Sequence, residues 1–348
     1  MKGEIMKTDG KDPIDVGECD GKGLIELSVS KAKRWKACQQ SYEYRYVNKL
    51  TPKTKSRPLT VGTLVHKCLE ARALGQAWVD VIKTFKEEEW SKLFDEEKVE
   101  LGDIPTDTYL IMRGYHYYYK EDFNRYKTIG AEIPFRVRIN NTPIVLTGVI
   151  DLIVLDKVDN SIWCFEHKTV KRDIPSEDFR MTDIQTTIYL YGMKALAPKL
   201  GYQENQVKGI VLDYLKTKTP TIPEVLKNGT LSKRKISCDY YTYLQCIKSI
   251  NGNPEDYQDI LEYMKTNIFY TRIPITRSDS LTKAVLEDII NVGKQILAIS
   301  GKCPTRNLAW TCDRPKCEYR DLCIAEIQGF DTNTLIKLNY DVKEDDKE

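Results

Sequence analysis

The sequence lacks a surplus of charge of either sign: 53 Lys and Arg face 51 Asp and Glu, for a formal net charge of +2 over 348 residues. A sum this close to zero says nothing about partners, because steering depends on where charges sit. Long apolar runs are also missing. The most apolar stretch, Pro143 to Leu155, is interrupted by Thr147, Gly148 and Asp151, well short of the roughly 18 to 20 residues that a membrane helix needs, so no membrane partner is expected. The first residues, MKGEIMKTDG, carry neither an apolar core nor a small-residue cleavage site, which leads to the expectation of a cytoplasmic protein. A G-x-x-x-x-G-K-[ST] loop is absent, which excludes a P-loop ATPase within this chain. Internal repeats and low-complexity tracts are absent as well. What remains is 41% hydrophobic and 30% charged, the composition of a globular protein with a large core, as one domain with an appendage or as two smaller ones.

Cysteine, by contrast, is plentiful, with ten residues. In a reducing compartment these do not read as a disulfide framework. Cys303, Cys312, Cys317 and Cys323 crowd the C-terminal end, and thiolates this close usually hold a metal. Two ligand sets are open. The local four would suggest zinc, whereas Cys38 with Cys312, Cys317 and Cys323 would clamp an N-terminal helix to the C-terminus. Spacing alone does not choose between them.

Residues 1–22 and 326–348 read as solvated tails around a core of 23–300 and a Cys-rich segment of 301–325. Ser28 or Ser30 can cap a helix running through Trp35, Cys38 and Tyr42, and a second helical pattern follows Gly62. The flanks between them hold Arg34, Arg45 and other cations against Glu43, a candidate phosphate-facing surface. Two amphipathic helices are expected over 78–99 and 107–127. The tyrosines of the second, Tyr115 and Tyr117 to Tyr119, point several ways round the helix and so read as packing. From Glu132 to Lys168 the period changes to two, with turn signals at Asn140-Asn141 and Asp159-Asn160, which predicts a three-stranded meander. A helix from Thr182 and a strand from Val207 to Lys216 follow. Next comes a basic loop with Lys216, Lys218, Lys233, Arg234 and Lys235, and then helices over 239–250, 254–266 and 279–299. Helices, then a sheet, then helices imply a layered α/β fold.

Asp151 is the anomaly of the meander. A carboxylate among β-branched apolar residues is costly to bury unless paired or metal-bound. If Asp159-Asn160 is a two-residue turn, Asp151 lies opposite Lys168 and Ile153 opposite Glu166, so that Asp151, Glu166 and Lys168 share a face. Two carboxylates this close can hold a divalent cation with the ammonium beside it; a cross-strand salt bridge is the plainer alternative. On helices, His66 and Glu70 are four apart, as are Gln185 and Tyr189, each pair on one face.

In order and spacing these residues resemble the RecB-like branch of the PD-(D/E)xK nuclease superfamily: the glycine-to-histidine helix from Gly62 to His66, G-x-x-D at Gly148–Asp151, E-x-K at Glu166–Lys168 and Q-x-x-x-Y at Gln185–Tyr189. Ile150 stands where the family has proline before the aspartate. The resemblance implies a restriction-endonuclease-like α/β/α core with a central mixed sheet and a helical iron-sulfur cap. It implies that His66, Asp151, Glu166 and the main-chain carbonyl of His167 bind Mg²⁺ or Mn²⁺, that Lys168 orients or deprotonates water, and that Gln185 and Tyr189 position the lysine and the scissile strand. Glu70, on the same helical face as His66, is the weakest candidate beside them and reads equally as a surface acid. It further implies a 4Fe-4S cluster on Cys38, Cys312, Cys317 and Cys323, with Zn²⁺ the alternative; the gap from Cys312 to Cys317 is wider than in those relatives. The expected activity is that of a stand-alone DNA exonuclease in recombination, repair or phage metabolism, resembling enzymes of phages and of CRISPR adaptation. It would act on DNA ends that are single-stranded or carry single-stranded tails, beside a helicase or recombination partner. The rival readings are a non-cleaving DNA-binding module and an endonuclease.

Overall fold

A computed structural model describes residues 12–54, 56–171, 183–299, 301–313 and 317–342. Lys55, the segment 172–182 and both extreme ends, including nearly all of the charged stretch from Val342, lie outside the described residues. The helices of eight or more residues are α1 (Val29–Ala37), α2 (Arg57–Ala73), α3 (Trp78–Glu88), α4 (Ile104–Tyr118), α5 (Ile184–Leu196), α6 (Tyr240–Ser249), α7 (Gln258–Thr266), α8 (Asp279–Ile299) and α9 (Arg320–Ile327). The strands are β1 (Ile14–Val16), β2 (Ile25–Ser28), β3 (Leu50–Pro52), β4 (Tyr126–Arg138), β5 (Ile144–Asp156), β6 (Ser161–Val170), β7 (Val207–Lys216), β8 (Tyr270–Ile275) and β9 (Tyr340–Val342).

Seven strands form one mixed sheet in the order β1-β4-β5-β6-β7-β8, with β2 also beside β5. The β4–β5–β6 meander is antiparallel, and β6 and β7 run parallel. Helices α1, α5 and α8 cover one face through Trp35, Ile188, Met193, Ile289 and Val292. A second cluster joins α2, α3 and α4 to Leu215, Phe269 and Tyr270. This is the α/β/α layering expected of a restriction-endonuclease-like core. A third cluster packs α6 against α7. No helix among the described residues is long and apolar enough to cross a membrane.

Several features differ from the sequence reading; the helices expected over 78–99 and 107–127 end at Glu88 and Tyr118. The segment read as an N-terminal tail contains β1, parallel to β4, and the segment read as a C-terminal tail contains a helix (Asn333–Asn339) and β9, which pairs with β3. Three-residue edge strands carry too little periodicity to stand out. The edge strand β8 was also missed, because Pro274 breaks its pattern and is tolerated only at a sheet edge. The β5–β6 connection is the four-residue loop 157–160 instead of a two-residue turn. Ile153 therefore pairs with Cys164, two residues from the expected register. A shift of two preserves the faces.

Candidate active site

The pairing of β5 with β6 stops at Leu152–Phe165. Beyond it β6 stays with β7, whereas β5 takes β2 as its neighbour at Ile144–Thr147. Asp151 and Glu166 are the first residues past this split, where backbone groups are free to meet side chains. The His167 amide donates to Asp151 Oδ2 at 2.8 Å. Helix α2 packs over the same place, and Gly62 lets it approach: a Cβ there would lie 3.2 Å from Thr169 Oγ1. One turn on, His66 Nδ1 lies 3.7 Å from Asp151 Oδ2. Burial holds the His66 imidazole below its usual range against the pull of Asp151, which keeps the ring neutral, as a metal ligand must be.

Glu166 is 5% exposed. Its Oε1 accepts from Lys168 Nζ at 2.6 Å and from Gln185 Nε2 at 2.6 Å, and Gln185 Oε1 accepts from the same ammonium at 2.8 Å. Burial, with the Asp151 charge, pushes the Glu166 carboxyl up to about 7 despite Lys168. Its Oε2 is buried with no hydrogen-bond partner. The ion pair with Lys168 on the same strand accounts for Oε1 and leaves Oε2 unexplained; a buried carboxylate oxygen without a partner is what a cation site would satisfy. Gln185 reaches in because Asp183 caps α5, accepting from the Gln185 amide while pairing with Lys33. Tyr189, one turn along, is in hydrogen-bond contact with Gln185 and packs edge-on to Phe135 at 5.9 Å. Gly148 makes room for both rings, since a Cβ there would lie 2.8 Å from Phe135 and 3.0 Å from Tyr189.

Sequence reasoning missed Glu132. Its carboxylate lies with ligand atoms of His66 and Asp151 in a group within 4.8 Å of one another. An irregularity at Thr128/Gly130 and a φ of +50° at Glu132 turn its side chain here, as bulges beside active sites do. Burial and Asp151 push it up to about 7, with Glu70 also adding to the repulsion. The only signal in the sequence was an acid within an apolar alternation.

Behind the site, His167 Nδ1 lies 3.0 Å from Asp213 Oδ2. Asp213 is 0% exposed. It also accepts from Tyr115 and from Arg272 Nε, and Arg272 continues to Asp122 at 2.7 Å. Burial opposes charge on His167, but Asp213 outweighs it and the imidazole is shifted up. Asp213 is shifted down, Arg272 and His167 outweighing its burial.

At the other end, Cys38, Cys312, Cys317 and Cys323 line one cavity of about 370 Å³. Cys303 is exposed and does not line it. Helix α1 ends at Cys38, whose extended backbone breaks the helix expected to run on to Tyr42. The C-terminal segment docks there through Asn307 to the Ala37 carbonyl at 2.9 Å and Gln40 to that of Thr305 at 3.1 Å. Burial raises the Cys317 thiol, with Cys312 and Cys38 adding to the shift.

The first basic surface is largely spent on internal contacts. Arg34 pairs with Glu318 at 2.6 Å, Lys36 with Asp288 and Arg57 with Asp107, while Arg45 donates to Thr51. In the second, Lys233 donates to the Asp256 carbonyl and Lys235 lies over Tyr263. Lys218 and Arg234 are exposed, and Lys216 ends β7 opposite Val170, just beyond Lys168.

The sheet carries carboxylates and a lysine in an arrangement that can hold a divalent cation. A family model for the PD-(D/E)XK nuclease superfamily matches residues 26–324, and the chain belongs to that superfamily, whose members use divalent metals and act on DNA. Among solved structures it is similar to one from Eubacterium rectale described as a "Putative exonuclease", at 12% identity and a TM-score of 0.47, covering 84% of this chain and 88% of that one. None of the curated proteins matches.

Proposed function

We propose that this chain is a metal-dependent deoxyribonuclease that hydrolyses phosphodiester bonds from DNA ends. The observation that carries this reading is the pairing of Glu166 with Lys168 through one carboxylate oxygen while the other stays buried and unpartnered beside Asp151. His66, Asp151, Glu166 and the carbonyl of His167 would hold Mg²⁺ or Mn²⁺. When bound, the cation neutralises phosphate charge and lowers the pKa of water. Lys168 orients the attacking water and adds positive charge where the transition state becomes more negative. Gln185 holds the ammonium and Glu166 in register, and Tyr189 braces Gln185.

The chain divides, on this reading, into a nuclease core of 23–300 and a Cys-rich segment of 301–325 joined to it through Cys38. Cys38, Cys312, Cys317 and Cys323 hold a 4Fe-4S cluster; their shared cavity, with Cys303 outside it, favours this set over the local zinc set. Binding there would close a very long loop and so contribute to folding. Lys216 at the end of β7, with Lys218, Lys233, Arg234 and Lys235 in the loop after it, and Arg34 and Arg45 on the first basic surface engage the DNA backbone. The substrate on this reading is a single-stranded or tailed DNA end, fed by a helicase or recombination partner in a bacterial or phage-infected cytoplasm.

The test is cleavage of matched linear and circular DNA, single- and double-stranded, with Mg²⁺ or Mn²⁺, comparing wild type with Lys168→Ala. Loss of linear DNA alone, abolished by the substitution, is expected. Cut circles would make the chain an endonuclease, and binding without cleavage would leave a DNA-binding module.

A further inference from the structure

We propose that Glu132 is a ligand of the active-site cation, completing with His66 and Asp151 a coordination set that none of the sequence motifs contains. The inference rests on the metal-dependent reading above and extends it to a residue from a different strand, β4.

Two independent features converge on it. The first is geometry. Glu132, His66 and Asp151 each offer a ligand atom, and these atoms lie within 4.8 Å of one another, a spread that one ion with bonds of roughly 2.0 to 2.6 Å can span. Among the described residues, the Glu132 carboxylate makes no hydrogen bond or ion pair, although it is half-buried. The β4–β5 register places it between the Ala131–Leu152 and Ile133–Ile150 pairs, and therefore across from Asp151. The second is the buried Glu166 Oε2, which has no partner in a side chain that is 5% exposed and whose charge interacts with those of Asp151 and Glu132.

Charge supports a cation here. Glu132, Asp151 and Glu166 contribute three carboxylates, with Glu70 adding to the negative charge felt at Glu132, and among the described residues Lys168 is the ammonium that pairs with this set, through Glu166. His167 turns its ring away to Asp213. Glu132 adds negative charge that offsets Lys168 and favours a divalent cation.

The experiment uses the full chain and Mn²⁺ alone, without DNA, reading free Mn²⁺ by electron paramagnetic resonance. Wild type should bind one ion at this site, and Glu132→Gln should weaken binding by about tenfold or more, the scale on which even supporting residues act, with Glu132→Asp in between. Unchanged affinity in a folded Glu132→Gln protein overturns the proposal while leaving the nuclease reading intact. No Mn²⁺ bound by wild type overturns both. Should Glu132→Gln fail to fold, anomalous diffraction from wild-type crystals soaked in Mn²⁺ decides: a Glu132 oxygen bonded to the ion supports the assignment, and an ion held by His66 and Asp151 without Glu132 defeats it.

Discussion

The amide of His167 donates a 2.8 Å hydrogen bond to Asp151 Oδ2, joining β5 and β6 just where the two strands stop pairing with each other. The ring of the same residue is held from behind by Asp213. The orientation of Asp151 is thus set from the core outward, through Asp213, Tyr115 and Arg272, rather than by its own strand.

That chain of contacts makes Asp213 a stability residue. Asp213→Ala would leave the buried Arg272 and His167 short of a partner, and breaking a buried charge pair in this way costs roughly 3 to 5 kcal/mol. Urea denaturation should show a loss of this size, with a smaller one for Asp213→Asn, which keeps a hydrogen-bonding oxygen.

Gln185 should matter for rate more than for folding. It bridges Lys168 and Glu166 from the first turn of α5, and Gln185→Ala frees both without opening the core. We expect cleavage slower by roughly 10- to 100-fold at nearly unchanged melting temperature, measured on linear DNA under single-turnover conditions.

The pH dependence of the metal-free protein follows from two carboxyls. Glu166 and Glu132 are each pushed up to about 7 by burial and by Asp151. Between the ordinary carboxyl range and pH 7 the folded chain therefore holds protons that the unfolded chain releases. Their contribution to stability falls as pH rises through that window and is level above it. Melting curves in EDTA should show a steeper loss from pH 5 to 8 for wild type than for Glu166→Gln. Added Mn²⁺ should stabilise wild type more at pH 8 than at pH 5, because it binds the ionised forms. An identical pH slope in the two proteins would contradict the assignment.

The cysteine cavity separates two ligand sets. Cys38→Ser or Cys323→Ser should remove the brown colour and the iron of a protein purified without air, and should reduce solubility. Cys303→Ser should change neither, since Cys303 is outside the cavity. Metal analysis of wild type and the three variants checks this; stoichiometric zinc in a colourless wild type would replace iron as the occupant.

Much of the fold was legible in the sequence. The meander announced itself through period-two alternation and turns at Asn141 and Asn160, both with positive φ. The helices of both layers followed from apolar periodicity and from a cap such as Ser28. Edge strands were not legible: β1 is three residues long, and β8 carries a proline, so neither completes a pattern. The local basic excess left the pairing of its cations open, because charge counted along a chain does not reveal which cations meet acids from elsewhere, as Arg34 meets Glu318 and Lys36 meets Asp288.

The sequence by itself determined the chemistry within reach of each short motif. Glu166 and Lys168, two apart on a strand, share a face, and His66 lies on a helix that Gly62 allows to pack tightly. Only the tertiary structure decided what those motifs converge on. The split between β5 and β6 brings the His167 amide to Asp151, a bulged β4 delivers Glu132, and the chain ends meet so that Cys38 faces Cys312, Cys317 and Cys323. Each of these depends on residues far apart in sequence, whose meeting is set by strand order and helix packing, and no local periodicity encodes that.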